Sequence, residues 1–238
     1  MKWGFFTPQH ILTLVLAAAM LTALYHGLKN KSQKFQTALL FPLSLSGVIA
    51  IVYNLIRWGA PLEYLPLHLC SVNALLLPVV VLTRNKTLGN LLLLWCLGAL
   101  VALVANFEMV DAALFGESFC FYYFPHVFEF GIPVLLFKLG LVRKDASCIR
   151  STLTITMLLY TLVHLCNVVI NRYCGVSVNY MFSMEATNPL TALFYRVIPC
   201  EYWHMYMVLP IVGVYLVLVY APELSVKYRR TELRRRTV

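Results

Sequence analysis

Charge is what this chain has least of. Only 12% of its 238 residues are Asp, Glu, Lys or Arg, against 61% hydrophobic. A soluble domain of this length cannot hide that much apolar surface, so a water-soluble enzyme or binding module is excluded. Other absences narrow the class further. There is no linker, low-complexity tract or clear repeat. No Gly/Pro-broken spans recur in corresponding halves, which argues against a transporter built on inverted repeats. None of the seven cysteines forms a CxxC pair, and no two of the six histidines are spaced HxxxH, so no metal framework is written locally. Most cysteines fall inside apolar runs as small packing residues. The first apolar run is too long for a signal-peptide core and has no convincing small-residue cleavage site after it.

What is present is apolar length. Seven segments pass the test for a membrane span, roughly 17–25 residues. They run approximately His10–Leu28, Phe35–Ile56, Tyr64–Thr83, Leu88–Asn106, Tyr122–Leu141, Ser151–Asn171 and Trp203–Tyr220. The expected fold class is all-α: a polytopic membrane bundle of seven transmembrane helices, one domain over 1–238, with a basic tail over 221–238.

Loop charge sets the expected orientation. Lys29, Lys31 and Lys34 fall on one side of a seven-span chain, as do Arg84 and Lys86, then Lys138, Arg143, Lys144 and Arg150. The tail adds Lys227, Arg229, Arg230, Arg234, Arg235 and Arg236. These are fifteen of the 19 basic residues; only Lys2, Arg57, Arg172 and Arg196 lie on the other side. The positive-inside rule then places the N-terminus outside and the C-terminus in the cytoplasm. The net charge of +9 reflects this sorting rather than a nucleic-acid footprint, and the Arg-rich tail suits anionic lipid. Two longer outer connections, Phe107–Phe121 and Arg172–Tyr202, carry aromatic residues suited to the interface and are expected to fold partly over the outer mouth. Cys120, Cys174 and Cys200 lie near that surface, where two of them can pair.

With orientation assigned, depth follows. His68, Cys70 and Asn73 occupy the outer half of the third span. His126 and Glu129 lie near the outer end of the fifth. Asn106, His164, Asn167 and Asn171 reach the same level from the fourth and sixth, Asn54 from the second, and Glu201 and His204 from the start of the seventh. The inner halves show almost nothing comparable. Polar groups at such depth face a cavity or a functional site more readily than lipid. Positions three or four apart share a helical face, which groups Cys70 with Asn73, His126 with Glu129, and His164 with Asn167 and Asn171. His68 is turned about 200° from Cys70 at roughly 100° per residue, so it is expected to point elsewhere. The partner of Cys70 is then expected from another helix, with His126 and His164 as candidates.

These residue types allow three chemistries. A buried thiol resists ionisation and needs a base, a role histidine fills near neutral pH. Glu129 can fix the tautomer of His126, and asparagines can position a substrate or donate to an oxyanion. Alternatively, His126, His164 and His204 can hold a zinc ion with an open position for hydrolysis. Third, the same layer can bind a small ligand or a transported solute, which calls for a second polar layer on the cytoplasmic half.

At these residues the chain resembles the YwaF family of bacterial integral membrane proteins and the related transmembrane protein 164 acyltransferases of animals. The resemblance rests on Leu65-Pro66-Leu67-His68-Leu69-Cys70, on Phe124-Pro125-His126 and on Asn179-Tyr180-Met181-Phe182, and spans nearly the whole chain. It implies a cysteine-dependent lipid acyltransferase or transacylase; the depth of the polar layer sets the expected reaction in the outer leaflet of the cell membrane, and no cofactor or metal is expected. A fatty acyl chain would pass from a phospholipid to a lysophospholipid through a thioester on Cys70, with His126 as base. Asn73, Glu129, His164, Asn167, Asn106, Asn171, Asn179 and Tyr180 would support the site or bind substrate. Three places depart from the family pattern: Ser71 follows the cysteine, Ser183 replaces a usual leucine, and the stretch before the last span reads Ile198-Pro199-Cys200-Glu201-Tyr202-Trp203.

Overall fold

The computed structural model describes residues 2–4, 6–105, 112–113 and 116–236. Asn106 and, from the Phe107–Phe121 connection, residues 107–111, 114 and 115 lie outside the described residues. The described fold is helical, apart from an antiparallel pairing of Lys2–Trp3 with Ala112–Ala113. The helices are α1 (Pro8–Leu28), α2 (Gln33–Ser44), α3 (Ser46–Trp58), α4 (Leu69–Thr83), α5 (Lys86–Ala105), α6 (Phe124–Lys138), α7 (Ile149–Tyr173), α8 (Pro189–Val197) and α9 (Val208–Arg236). The basic tail therefore continues the last helix through Arg236.

Their ends follow from local chemistry. Thr7 caps α1 by accepting from the His10 N–H at 3.3 Å, with Pro8 at the first helical position. Ser32 caps α2 in the same way. Asn188 and Thr191 close a reciprocal capping box on α8. Together α2 and α3 form one bent crossing. Pro42 lacks an N–H for the helical ladder, and the bend falls at Leu45.

Among the described residues six helical stretches are long and apolar enough to cross a membrane: Pro8–Leu28, Gln33–Trp58, Lys86–Ala105, Phe119–Lys138, Ala146–Tyr173 and Trp203–Glu223. The expected third span differs. Tyr64–His68 is not helical, and α4 is only 15 residues, about 22 Å long, short of the ~30 Å hydrocarbon core. Pro66 is the physical reason, since it pushes Leu65 toward extended backbone and keeps the helix from starting earlier.

More than half of α5 and of the α6 stretch is buried, against under a quarter of the other four candidate spans. These two helices and α4 form the centre, where Val80, Leu92, Trp95, Ile132 and Leu136 pack together. Around them α1, α7 and α9 turn large apolar side chains outward, including Leu158, Leu162, Val214 and Leu218. A water-soluble surface would not carry such a girdle.

At one end of this core Asn90 makes a closed network that the sequence did not announce. Its Nδ2 donates to the Lys86 and Arg143 carbonyls at 2.8 and 3.2 Å. Its Oδ1 accepts from the Asp145 N–H at 3.1 Å and the Tyr220 hydroxyl at 2.6 Å. Beside it, the Lys144 ammonium donates to the Val219 carbonyl at 2.6 Å. The network rivets α5, the α6–α7 connection and α9.

Candidate active site

The opposite end holds two further clusters of polar groups. The first is built on α4 and α6. Cys70 is the second residue of α4. His68 precedes the helix in extended conformation and provides no side-chain cap, so the first-turn N–H groups lack a side-chain partner. A π-helical turn, Phe119–Tyr123, leads into α6, and Pro125 sits in its first turn. This entry presents His126 and, three residues on, Glu129 to α4.

Cys70 Sγ, a ring nitrogen of His126 and a carboxylate oxygen of Glu129 all lie within 4.8 Å of one another. His126 Nδ1 lies 2.6 Å from the Tyr122 carbonyl. A carbonyl only accepts, so Nδ1 carries the proton in this bond and Nε2 keeps its lone pair in the neutral ring. That nitrogen is 3.9 Å from Glu129 Oε2. The tautomer of His126 is thus set by a backbone carbonyl of its own helix. Glu129, the residue expected to set it, lies at the other nitrogen, on the side of the reactive groups.

Glu129 is buried, and its Oε2 has no hydrogen-bond partner. Asn73, one turn below Cys70, is also sealed. Its Nδ2 donates to the Glu129 carbonyl at 3.3 Å, and its Oδ1 is unpartnered. Gly47 on α3 closes the third side. A β-carbon there would stand 2.6 Å from the Ala74 β-carbon and 2.9 Å from Glu129 Oε1, so only glycine lets α3 approach. Gly47 was not among the residues singled out from sequence. Its only signal there is a Ser-Gly pair just after Pro42 in an apolar run.

The second cluster holds a loop. Asn167 pairs with Tyr180 through both backbone groups: its Nδ2 donates to the Tyr180 carbonyl at 2.8 Å, and its Oδ1 accepts from the Tyr180 N–H at 3.1 Å. Asn171 does the same with Val178 at 3.0 and 2.7 Å. Asn179 Oδ1 accepts from the Met184 N–H. Ser183 Oγ lies 3.0 Å from His164 Nδ1 and accepts from Asn167 Nδ2 at 2.8 Å. The Tyr180 hydroxyl donates to the Leu62 carbonyl. Within this frame Met181 and Phe182 both adopt left-handed backbone, φ 53° and 55°. Each such residue costs on the order of 1–3 kcal/mol and persists only when its surroundings over-determine it.

The two clusters meet at His68. Its Nδ1 accepts from the Met181 N–H at 3.3 Å, and its ring packs on Tyr180 and Phe182. His68 is engaged by this loop, and it precedes α4 rather than lying on a helical face. The loop thereby seats on the start of α4. The structure brings Cys70, His126, Glu129 and Asn73 together. It places His164, Asn167, Asn171, Asn179 and Tyr180 in the loop-holding network. His126, His164 and His204 do not converge: both ring nitrogens of His204 are engaged by the Cys200 and Phe182 carbonyls, at 3.0 and 2.9 Å. All seven cysteines are free.

A bundle of apolar helices with outward-facing leucines and valines, and polar side chains held inside, defines a multi-pass helical membrane protein. The family model of the TMEM164 family matches residues 5–221, nearly the whole chain, and the protein belongs to that family. No curated protein and no solved structure matches it.

Proposed function

We propose that this protein is a cysteine-dependent lipid acyltransferase, moving a fatty acyl chain from a phospholipid to a lysophospholipid through a thioester on Cys70. The observation that carries the reading is the Cys70–His126–Glu129 cluster, with His126 Nδ1 committed to Tyr122 and Nε2 left as the basic nitrogen. Family membership supports it, and Cys70 and His126, the two residues the sequence resemblance singled out, are ones that come together.

The sequence of steps is as follows. The donor ester carbonyl approaches the start of α4. Cys70 Sγ attacks it as His126 Nε2 takes the thiol proton, and the uncapped first-turn N–H groups of α4 are placed to receive the developing oxyanion. The imidazolium returns its proton to the departing lysolipid oxygen as the C–O bond breaks. A lysophospholipid hydroxyl then attacks the thioester. His126 removes the hydroxyl proton and delivers it to the leaving sulfur. Water in place of that hydroxyl would make the same site a lipase. The proposed setting is the outer leaflet of the cell membrane, with the N-terminus outside and α4 as a short seventh crossing.

Two other readings find less support. A zinc hydrolase using His126, His164 and His204 has no common point for its ligands. A transporter needs a second polar layer for release. At the far end Asn90 has all four of its hydrogen-bonding positions filled by the protein itself, and Gln36 donates to the Leu28 carbonyl, so no layer comparable to the Cys70 cluster stands there among the described residues.

The test is the intact mass of purified protein after incubation with phospholipid. The expected result is one acyl adduct, mapped to Cys70 and absent from Cys70→Ala. Transfer to a labelled lysophospholipid by Cys70→Ala at the wild-type rate would remove the nucleophile assignment.

A further inference from the structure

The placement of Glu129 is awkward for a simple thiol–imidazole pair. A carboxylate that only oriented His126 would sit at Nδ1, where the Tyr122 carbonyl already is. Instead it stands 3.9 Å from Nε2, within 4.8 Å of the thiol, buried, with one oxygen unpartnered. Among the described residues this is the one cluster of three thiol, imidazole or carboxylate groups close enough to share an ion.

We propose that Cys70, His126 and Glu129 form a binding site for one thiophilic divalent cation of the zinc type, and that its occupancy blocks the thiol. Four observations carry this. The donor set is a sulfur, an imidazole nitrogen and a carboxylate oxygen, the combination that favours zinc-like ions over magnesium or calcium. The imidazole already makes the outer hydrogen bond that metal-bound histidines make, Nδ1 to a backbone carbonyl, which presents Nε2 inward. Charge also balances: a thiolate and a carboxylate cancel the two positive charges, so the filled site is neutral where a net charge would be costly. Lastly, the Glu129 oxygen facing the cluster lacks any other partner.

Zinc-like geometry puts donor atoms roughly 3.3–3.7 Å apart, so binding draws the three groups inward by about 1 Å. Binding forms one bond each from sulfur, nitrogen and oxygen to the ion and releases the thiol proton to solvent. No electron is transferred. The sulfur lone pair and the His126 Nε2 lone pair, both required for attack on an ester, are then occupied. The ion-binding claim stands on geometry alone; the blocking claim rests on the Cys70 reading above.

The experiment separates the two. Metal-stripped full-length protein in detergent is titrated with Cd²⁺, following thiolate-to-cadmium ultraviolet absorption and metal bound per chain by elemental analysis. Cys120, Cys166, Cys174 and Cys200 are exposed and supply a background shared by all variants. Wild type is expected to bind one more ion per chain than Cys70→Ala. Glu129→Gln should weaken that ion by at least ~10-fold, the usual cost of disturbing even an outer partner of a metal site. Cys96→Ala should retain it. Equal binding by wild type, Cys70→Ala and Glu129→Gln overturns the site. In the transfer assay Zn²⁺ should inhibit and a chelator restore full rate. Loss of transfer on chelation makes the ion catalytic and overturns the blocking role. If wild type transfers no acyl group with or without metal, the Cys70 reading and the blocking role both fail, and the cadmium titration still decides the site.

Discussion

Asn73 and Asn90 are both sealed within the α4–α6 core, near opposite ends, and the protein treats them differently. Asn90 fills all four of its hydrogen-bonding positions with groups from α5, the α6–α7 connection and α9. Asn73 makes one bond, to the Glu129 carbonyl, and leaves its Oδ1 unpartnered beside a glutamate with an unpartnered Oε2. A buried polar atom left without a partner costs about 1–3 kcal/mol. Satisfied completely, a buried amide is a rivet. The incomplete amide stands next to a thiol and an imidazole, and the proposed ion site is built on that incompleteness.

That contrast predicts opposite phenotypes. The largest effect is expected at the incomplete end. Cys70→Ala should reduce acyl transfer to background with the thermal midpoint little changed, since Cys70 is only half-buried and its side chain meets His126 rather than the apolar core. His126→Ala should cost about 10²–10⁴-fold in rate, the usual contribution of a positioned base. Both are read by lipid extraction after mixing with labelled phospholipid and lysophospholipid. A Cys70→Ala protein that fails to fold would erase the distinction between the two ends.

At the complete end the order reverses. Asn90→Ala leaves the Tyr220 hydroxyl, the Arg143 carbonyl and the Asp145 N–H without this partner, and should cost about 3 kcal/mol in unfolding measured in detergent. Transfer per folded molecule should be unchanged. Tyr220→Phe removes one of those bonds and should cost about 1 kcal/mol.

Gly47→Ala joins the two readouts. Its new methyl must displace Ala74 or the Glu129 carboxylate, so about 1–3 kcal/mol of stability should be lost, as for other overpacked cores. Transfer should fall as well, because Glu129 lies on the reactive side of His126. Unchanged transfer in a stable Gly47→Ala protein would show that the position of Glu129 is unimportant.

The smallest effect is expected at Asp145, on the α6–α7 connection. The Lys86 ammonium, donating to its Oδ2 at 2.7 Å, and Ser147 hold this carboxyl below the usual carboxylate range. A depressed carboxylate contributes stability that is present above its unfolded value of about 3.9 and is lost as pH falls below it. The pair is partly exposed and screened. Asp145→Asn should therefore shift the midpoint little near neutral pH, and should flatten the acid limb of a stability-against-pH curve.

How much of this was legible beforehand depends on where each residue finds its partners. Cys70 and His126 stood out because polar groups near the ends of apolar helices are conspicuous, and the three-residue spacing of His126 and Glu129 put both on one face. The role of Glu129 was not legible, because the carbonyl that occupies His126 Nδ1 belongs to every residue type alike. The His164–Asn167–Asn171 stripe was correctly seen as one face, yet spacing cannot say what a face meets. In the structure that face meets the backbone of 178–183. Asn90 passed unnoticed since three of its four partners are backbone groups, which every residue type carries.

The amino-acid sequence by itself determined the class: too little charge and too much apolar length for anything but a helical membrane bundle, with a cysteine and two histidines at helix ends. Pro66 and Pro42 also wrote the short α4 and the bend between α2 and α3, because a missing N–H and a restricted neighbour act locally. Only the tertiary structure decided which polar groups share a site. Three helices had to bring Cys70, Glu129 and Gly47 together, and one loop had to claim Asn167 and Asn171. Side-chain period gives direction around a helix, and packing alone gives what lies in that direction.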